Sequence, residues 1–287
     1  MHEWPFRRVV TALVAGGFAA ASRAEGVLDP QGPVAAADRQ ILLNATTIML
    51  VVVVPVIVLI LVFAWWYRAS NPRAAYQPTW AHSGRIEFVV WSIPAMVVLL
   101  LAAVAWTGSH DLDPARKLSA RGTPVRVEVV ALDWKWLFIY PDLQVATLNQ
   151  ITVPTGVPIE FVLTSTTVMN AFWVPQLGSQ IATMPGMTTR LNLLATHPGD
   201  YPGLSSNFSG DGFSDMHFMV HAVPAAAFSS WVAVTRSQGE RLDGGAYAQL
   251  ARTGSDVSIR AFGNVEPGLF ERIERATTGA PANRMEQ

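Results

Sequence analysis

The sequence predicts a membrane-anchored protein in two parts: a transmembrane two-helix hairpin, then an exported all-β domain of the sandwich or barrel type with a short helical tail. Three observations carry this. Charged residues make up only 14% of the 287-residue chain, against 51% hydrophobic residues; an average soluble domain carries roughly 25% charged residues. Two charge-free apolar stretches of spanning length lie in the first 110 residues. From Leu112 the pattern changes to short alternating runs separated by Gly, Pro and Asn. The mean hydropathy of +0.29 argues against disorder. Twenty basic and 21 acidic residues nearly cancel, at a net charge of −1, which argues against bulk electrostatic binding to nucleic acid. There is no cysteine. Disulfides, thiolate nucleophiles, cysteine–zinc sites, iron–sulfur clusters and thiolate-bridged copper are therefore excluded.

The elements follow in chain order. Residues 1–24 read as a secretory signal. Arg7 and Arg8 open it, 9–21 is apolar and small-residue rich, and Ser22-Arg23-Ala24 resembles a cleavage site. Residues 25–44 are an exported N-terminal segment. The first span, 45–67, carries no charge and closes on Trp65, Trp66 and Tyr67, an interfacial aromatic belt. At ~1.5 Å per residue it reaches about 34 Å, enough to cross the hydrocarbon core. The loop 68–87 holds Arg68, Arg73 and Arg85 against Glu87 alone. The positive-inside rule puts it in the cytoplasm and both flanking ends outside. The second span, 88–110, has no Asp, Glu, Lys or Arg. Pro55 and Pro94 lie inside the spans, where neighbouring helices can satisfy the freed carbonyls.

Residues 111–235 are expected to form the β-domain. Val125-Arg126-Val127-Glu128-Val129 alternates strictly, the signature of a half-buried strand. Further strand-like runs cover 159–163, 190–194 and 217–220, with turn residues at 154–156, 185–186, 197–200 and 209–212. Alternation places Trp134, Trp136 and Phe138 on one strand face. In the C-terminal segment, 236–287, helices are expected at 247–252 and 267–277, with Pro267 suited to a first turn. A disordered tail is expected from Thr278. His217 and His221 fall on one strand face, but two ligands without a third make no metal site, and ordinary strand histidines are the better reading. Asn170, Asn207, Asp211 and Asp215 offer the oxygens a hard cation takes and are equally the usual residues of turns. No Ser–His–Asp grouping, phosphate loop or paired-carboxylate site stands out.

Three segments carry a family resemblance. They are Asp133-Trp134-Lys135-Trp136-Leu137-Phe138-Ile139-Tyr140-Pro141, the stretch from Met169-Asn170-Ala171-Phe172-Trp173-Val174-Pro175 to Ile181, and Asn207-Phe208-Ser209-Gly210-Asp211-Gly212-Phe213-Ser214. Together with the layout, from about Leu28 to Ala276, they resemble subunit II of haem–copper terminal oxidases. In the cytochrome c-oxidising branch of that family a cupredoxin domain holds a binuclear copper centre on two cysteines, two histidines, a methionine and a glutamate carbonyl. The resemblance puts Asn170 and Asp215 at the histidines, Asn207 and Asp211 at the cysteines, Ser209 at the glutamate and Phe218 at the methionine. Two bridging thiolates are what make such a soft copper pair. Their loss resembles the quinol-oxidising branch, the cytochrome o ubiquinol oxidases.

That resemblance implies a copper-free, cupredoxin-like β-sandwich on two spans, in a bacterial inner membrane with the C-terminal domain periplasmic. It implies a complex that oxidises ubiquinol, reduces oxygen to water and pumps protons. The haems and copper would reside in subunit I and no cofactor in this chain. Subunit I would be the main partner, with subunits III and IV and membrane lipid; cytochrome c and nucleic acid would not be partners. This chain would scaffold subunit I and house no catalytic centre. His82-Ser83-Gly84-Arg85-Ile86-Glu87 resembles the segment whose glutamate stands at the mouth of a lysine-containing proton channel, which makes Glu87 the expected proton-uptake residue. The competing reading is an interfacial charge that ends a span. The 169–181 loop reads either as a docking surface for subunit I or as part of the domain's own core, and Trp134 and Trp136 as core and contact residues. Three alternatives stay open: a cytochrome c oxidase subunit, a menaquinol-using relative, and a stand-alone membrane-anchored binding protein or copper chaperone.

Overall fold

The computed structural model describes residues 26–75, 78–120, 122–252, 254 and 258–278. The expected signal, residues 1–24, and the chain beyond Thr278 lie outside them. Helix α1 spans Pro33–Trp66 and α2 spans Gly84–Asp111. Both are long and apolar enough to cross a membrane, and their apolar stretches are exposed in this chain. The 34 residues of α1 reach about 51 Å at ~1.5 Å each, against ~30 Å of hydrocarbon. The helix thus continues N-terminally beyond the apolar stretch that begins at Ala45. Pro33 at its first turn starts it, and Val34-Ala35-Ala36-Ala37 propagate it. A hydropathy reading stops where the apolar residues stop and cannot see that continuation. The hairpin closes tightly at this end: a Cβ on Gly108 would lie 2.8 Å from Ile41 Cδ1.

The rest is a two-sheet sandwich. One sheet holds seven strands: β1 (Val125–Leu132), β2 (Lys135–Tyr140), β3 (Val145–Leu148), β5 (Ile159–Ser165), β8 (Thr189–Leu193), β11 (Glu240–Arg241) and β12 (Arg260–Gly263). Their order is β11-β12-β3-β2-β1-β5-β8. The other sheet holds β4 (Gln150–Pro154), β6 (Asn170–Trp173), β7 (Ile181–Thr183), β9 (Gly199–Ser205) and β10 (His217–Val223), in the order β4-β10-β9-β6-β7. Between the sheets lie Val127, Val129, Trp136, Phe138, Tyr140, Phe161, Phe172 and Phe218. The Tyr140 hydroxyl donates to Thr152 O at 2.7 Å and accepts from Thr152 N at 3.0 Å, tying the two sheets. Burial raises its pKa far above the ordinary phenol range.

Two expectations are corrected here. β1 is not half-buried: from Val127 onward both faces are covered. The cover is the C-terminal arm, which includes α4 (Gly244–Leu250) and α5 (Leu269–Thr278). Leu242, Leu250, Phe262, Leu269, Phe270 and Ile273 close a second core over Val130, Leu132, Leu137 and Ile139. Lys135, on the same outer face, donates to the Leu250 and Arg252 carbonyls at 3.1 and 2.9 Å and so caps the C-terminal end of α4. Nor does Trp134 share the strand face of Trp136 and Phe138. It sits in the two-residue turn between β1 and β2 at φ 59°, so the alternation starts only at Lys135. The inward rings are Trp136, Phe138 and Tyr140. Helix α3 (Ala225–Gln238) also spans the boundary expected at 235 between the β-domain and the C-terminal segment. Its buried Phe228, Val232 and Thr235 repeat at four and three residues, a stripe diluted by exposed Ala and Ser.

Candidate functional site

Three places deserve description: the end of the sandwich where a copper centre would sit, the start of α2, and the seat of α1 on the β-domain. At the first, Asn170 opens β6 and is buried. The Ser205 hydroxyl lies 3.2 Å from Asn170 Oδ1 and 3.3 Å from the Asn207 carbonyl. Asn170 Nδ2 donates to Val168 O at 3.3 Å, and Asn207 Nδ2 donates to Met169 O at 3.0 Å. The two asparagines are thus used up in stitching β6 to the 206–216 loop. The Ser209 carbonyl accepts from Trp134 Nε1 at 3.0 Å. The Trp134 ring packs against Gly210 and Gly212, where a Cβ would stand 3.3 and 2.4 Å from it. That contact explains why a tryptophan is held at positive φ, which non-glycine residues rarely adopt.

Asp211 and Asp215 face solvent, the latter in a 3-10 turn over Phe213–Asp215. Phe218 points into the core. It stacks on Phe172 with centroids 4.9 Å apart, and lies 5.6 Å from Trp136 and 5.3 Å from Phe138. Gly203 makes room for it, since a Cβ there would meet the ring at 2.1 Å. The structure therefore joins Asn170 and Asn207 through Ser205, ties the Ser209 carbonyl to Trp134, buries Phe218 among rings, and leaves Asp211 and Asp215 outside.

This donor set does not fit a copper pair. At the positions the resemblance assigns to the ligands, amides and carboxylates stand in place of imidazoles and thiolates and a phenyl ring in place of the thioether, and the chain has no thiolate to bridge two coppers. Two buried side-chain atoms lack a partner among the described residues, Trp136 Nε1 and Ser209 Oγ. An indole N–H is a donor only and ligates no cation. Among the described residues no group of three or more His, Asp or Glu is placed to hold a metal. His217, Met219 and His221 share the outward face of β10. His221 Nδ1 lies 2.6 Å from Asp200 Oδ1 on β9, its register partner, and that makes it half of a cross-strand pair.

At the start of α2, Glu87 occupies the first turn, where the helix dipole favours a carboxylate. Its Oε1 lies 2.5 Å from His82 Nδ1, and both side chains are more than half exposed. The sequence points to Glu87 but not to His82 as its partner. A spacing of five across a helix start is not a standard helical pairing, so nothing in the periodicity flags it. Beside them a groove of about 860 Å³ opens between the helix ends, lined by Phe63, Tyr67, Arg68, Trp80 and Ile86.

The third place was invisible in the sequence. The 174–180 part of the expected docking loop holds the chain's own first helix. Gln31 N donates to Gln176 O at 2.7 Å, Thr196 N to Gln31 O at 2.9 Å, and Ala35 N to Leu177 O at 3.3 Å. Ser179 Oγ donates to Asp38 Oδ2 at 2.8 Å. Gly32 allows the approach, because a Cβ would lie 2.4 Å from Leu194 O and 3.0 Å from Leu177 O. At the other end, Asn192 N donates to Pro114 O at 2.9 Å. Both outer ends of the helix hairpin are therefore fixed to the sandwich, with 68–83 at the far end.

Comparison with known proteins agrees with this layout. The family profile for the cytochrome C oxidase subunit II periplasmic domain matches residues 140–223, and that for the COX aromatic rich motif matches 236–274. The second match coincides with the arm that covers the outer sheet face. The ubiquinol oxidase subunit 2 of Acetobacter aceti is 47% identical over 86% of this chain and 81% of its own length. The cytochrome bo(3) ubiquinol oxidase subunit 2 of Pseudomonas aeruginosa is 45% identical over 86% of this chain and 75% of its own. The crystal structure of the periplasmic domain of a Bradyrhizobium japonicum cytochrome oxidase subunit II matches at 22% identity and a TM-score of 0.38, covering 40% of this chain and 95% of that one. The chain belongs to the subunit 2 family of ubiquinol oxidases.

Proposed function

We propose that this chain is subunit II of an inner-membrane ubiquinol oxidase in which electrons pass from quinol to subunit I without crossing the exported domain. Two quinols supply the four electrons that turn one oxygen molecule into two waters, on haems and copper held by subunit I. The observation that carries this is the network of Asn170, Ser205 and Asn207, with Phe218 stacked on Phe172, at the positions where the resemblance puts a copper donor set. A domain so built conducts no electrons through metal. It acts as a cap and scaffold over subunit I, with subunits III and IV completing the complex. The seating of both outer helix ends on the sandwich, with Arg68, Arg73 and Arg85 at the far end, supports a periplasmic domain and a cytoplasmic loop.

On that reading Glu87 collects protons at the cytoplasmic mouth of a channel in subunit I. A carboxylate hydrogen-bonded to an imidazole, both half in water, can take a proton from bulk and pass it on. The test is ubiquinol-driven oxygen uptake by the purified complex. Glu87→Ala is expected to lower turnover by up to about a hundredfold, the low end for loss of a proton-transfer group, and to slow haem reduction, with haem content unchanged. His82→Asn is expected to have a smaller effect in the same direction. Wild-type turnover in Glu87→Ala, in a complex that oxidises ubiquinol, would make Glu87 an interfacial charge and leave the assignment of the complex standing.

A further inference from the structure

The outer face of β1 carries one charged residue under the C-terminal arm. Glu128 is 4% exposed. It borders a cavity of about 160 Å³ closed by Ile139, Pro141, Glu266, Leu269 and Phe270, so its carboxyl lies at the junction of the sandwich and α5. Its ion-pair partner is Arg126, two residues back on the same strand, with Nη2 at 2.9 Å and the side chain 45% exposed. The other groups that face it are acidic. Glu271 on α5 and Asp142 in the turn after β2 both act on its charge, and Glu266 lines the same cavity. Glu266 is engaged elsewhere, with Arg272 at 2.8 Å and Gly244 N at 2.9 Å. The strands on either side of Glu128 put apolar residues next to it, Ile139 on β2 and Val162 on β5.

A buried carboxylate among carboxylates, with one half-exposed cation, is costly when ionised and cheap when protonated. Lifting α5 would return it to water. We propose that the C-terminal arm is a pH-responsive latch on the sandwich, fastened by the protonated carboxyl of Glu128 and loosened when that carboxyl ionises. The ligand of this site is the proton, and the moving part is α5 with the turn that precedes it. Burial, opposed by Arg126 and helped by Glu271 and Asp142, pushes Glu128 up to about 7 from the ordinary value of 4.5. The docked arm therefore binds the proton more tightly than the lifted arm does. Docking is fully favoured below the lifted value and weakens as pH rises through the interval up to about 7, where the change levels off. At its steepest, one proton linked to opening gives about tenfold in the opening equilibrium per pH unit. If the domain is periplasmic, the latch stands on the side where a proton-pumping complex releases its protons, and it tightens as that side acidifies.

Hydrogen–deuterium exchange on the purified complex tests this, with rates corrected for the intrinsic pH dependence of exchange. Amides of 262–278 are expected to lose protection as pH rises from about 5 to 7 and to change little above that. Peptides from β6, β9 and β10 should stay flat. Glu128→Gln, neutral at every pH, is expected to abolish the transition and keep the arm protected throughout. Arg126→Gln should move the transition to higher pH, and Glu271→Gln to lower pH. Arm protection that is flat with pH in the wild type, or a transition unchanged in Glu128→Gln, would overturn the latch. If Glu128→Gln fails to assemble, opposite shifts in the other two variants sustain the proposal, and unshifted transitions overturn it.

Discussion

Phe218→Ala is expected to destabilise the sandwich by about 3–5 kcal/mol, the cost of emptying a buried aromatic site. The ring is 4% exposed and touches Phe172, Trp136 and Phe138. It is also the ring that Gly203 is shaped to admit, so no neighbouring side chain stands ready to fill the void. Phe218→Met separates packing from chemistry. It places there the methionine that the resemblance to the copper-binding branch puts at this position, at nearly conserved volume, and should cost below about 1.5 kcal/mol. Thermal unfolding of the purified complex, followed by tryptophan fluorescence, reads both. Equal losses in the two variants would mean that Phe218 is held for something other than its volume.

Gly32→Ala is expected to unseat α1 from the β-domain. The added methyl meets two backbone carbonyls, Leu194 O at 2.4 Å and Leu177 O at 3.0 Å. Neither can swing aside as a side chain can. The loops must retreat, and the Gln31 and Ala35 hydrogen bonds to 176, 177 and 196 go with them. Overpacking and the lost bonds together cost about 2–4 kcal/mol. The chain has no native cysteine, so a disulfide can report the contact cleanly. With Asp38→Cys and Ser179→Cys, whose side chains meet at 2.8 Å, oxidative cross-linking should be rapid in the parent and several-fold slower with Gly32→Ala. Gly178→Ala is the comparison: its new methyl meets side chains, Leu193 Cδ2 at 2.6 Å and Val34 Cγ1 at 3.0 Å, rather than backbone carbonyls, so a milder effect is expected. Equal cross-linking in all three would show that the helix is not seated through Gly32.

What the sequence revealed and what it hid divide along physical lines. The spans are legible because an uncharged run such as Met49–Val54 has one comfortable solvent. Trp136 and Phe138 are legible as core because strand alternation is local. Trp134 misleads, since its place depends on a two-residue turn whose φ is fixed by distant Ser209 and Gly212. The strand residue Glu128 reads as solvent-facing by alternation, and its burial is decided by Leu269 and Phe270, some 140 residues later. The same holds for Gly32, whose role appears only when Leu177 and Leu194 are brought to it. In the 206–216 loop the absence of cysteine could be read directly, while the use of Asn170 and Asn207 as stitches through Ser205 needed the fold.

On the proposed function, this subunit passes no electrons through a metal of its own. The purified complex tests it most directly, through copper and haem per complex, the electron paramagnetic resonance spectrum, and oxygen uptake with reduced cytochrome c against ubiquinol. Copper sufficient for subunit I alone, no mixed-valence copper signal, and oxygen uptake with ubiquinol only are expected. A mixed-valence copper signal that disappears with this subunit, or turnover with reduced cytochrome c and none with ubiquinol, would contradict it.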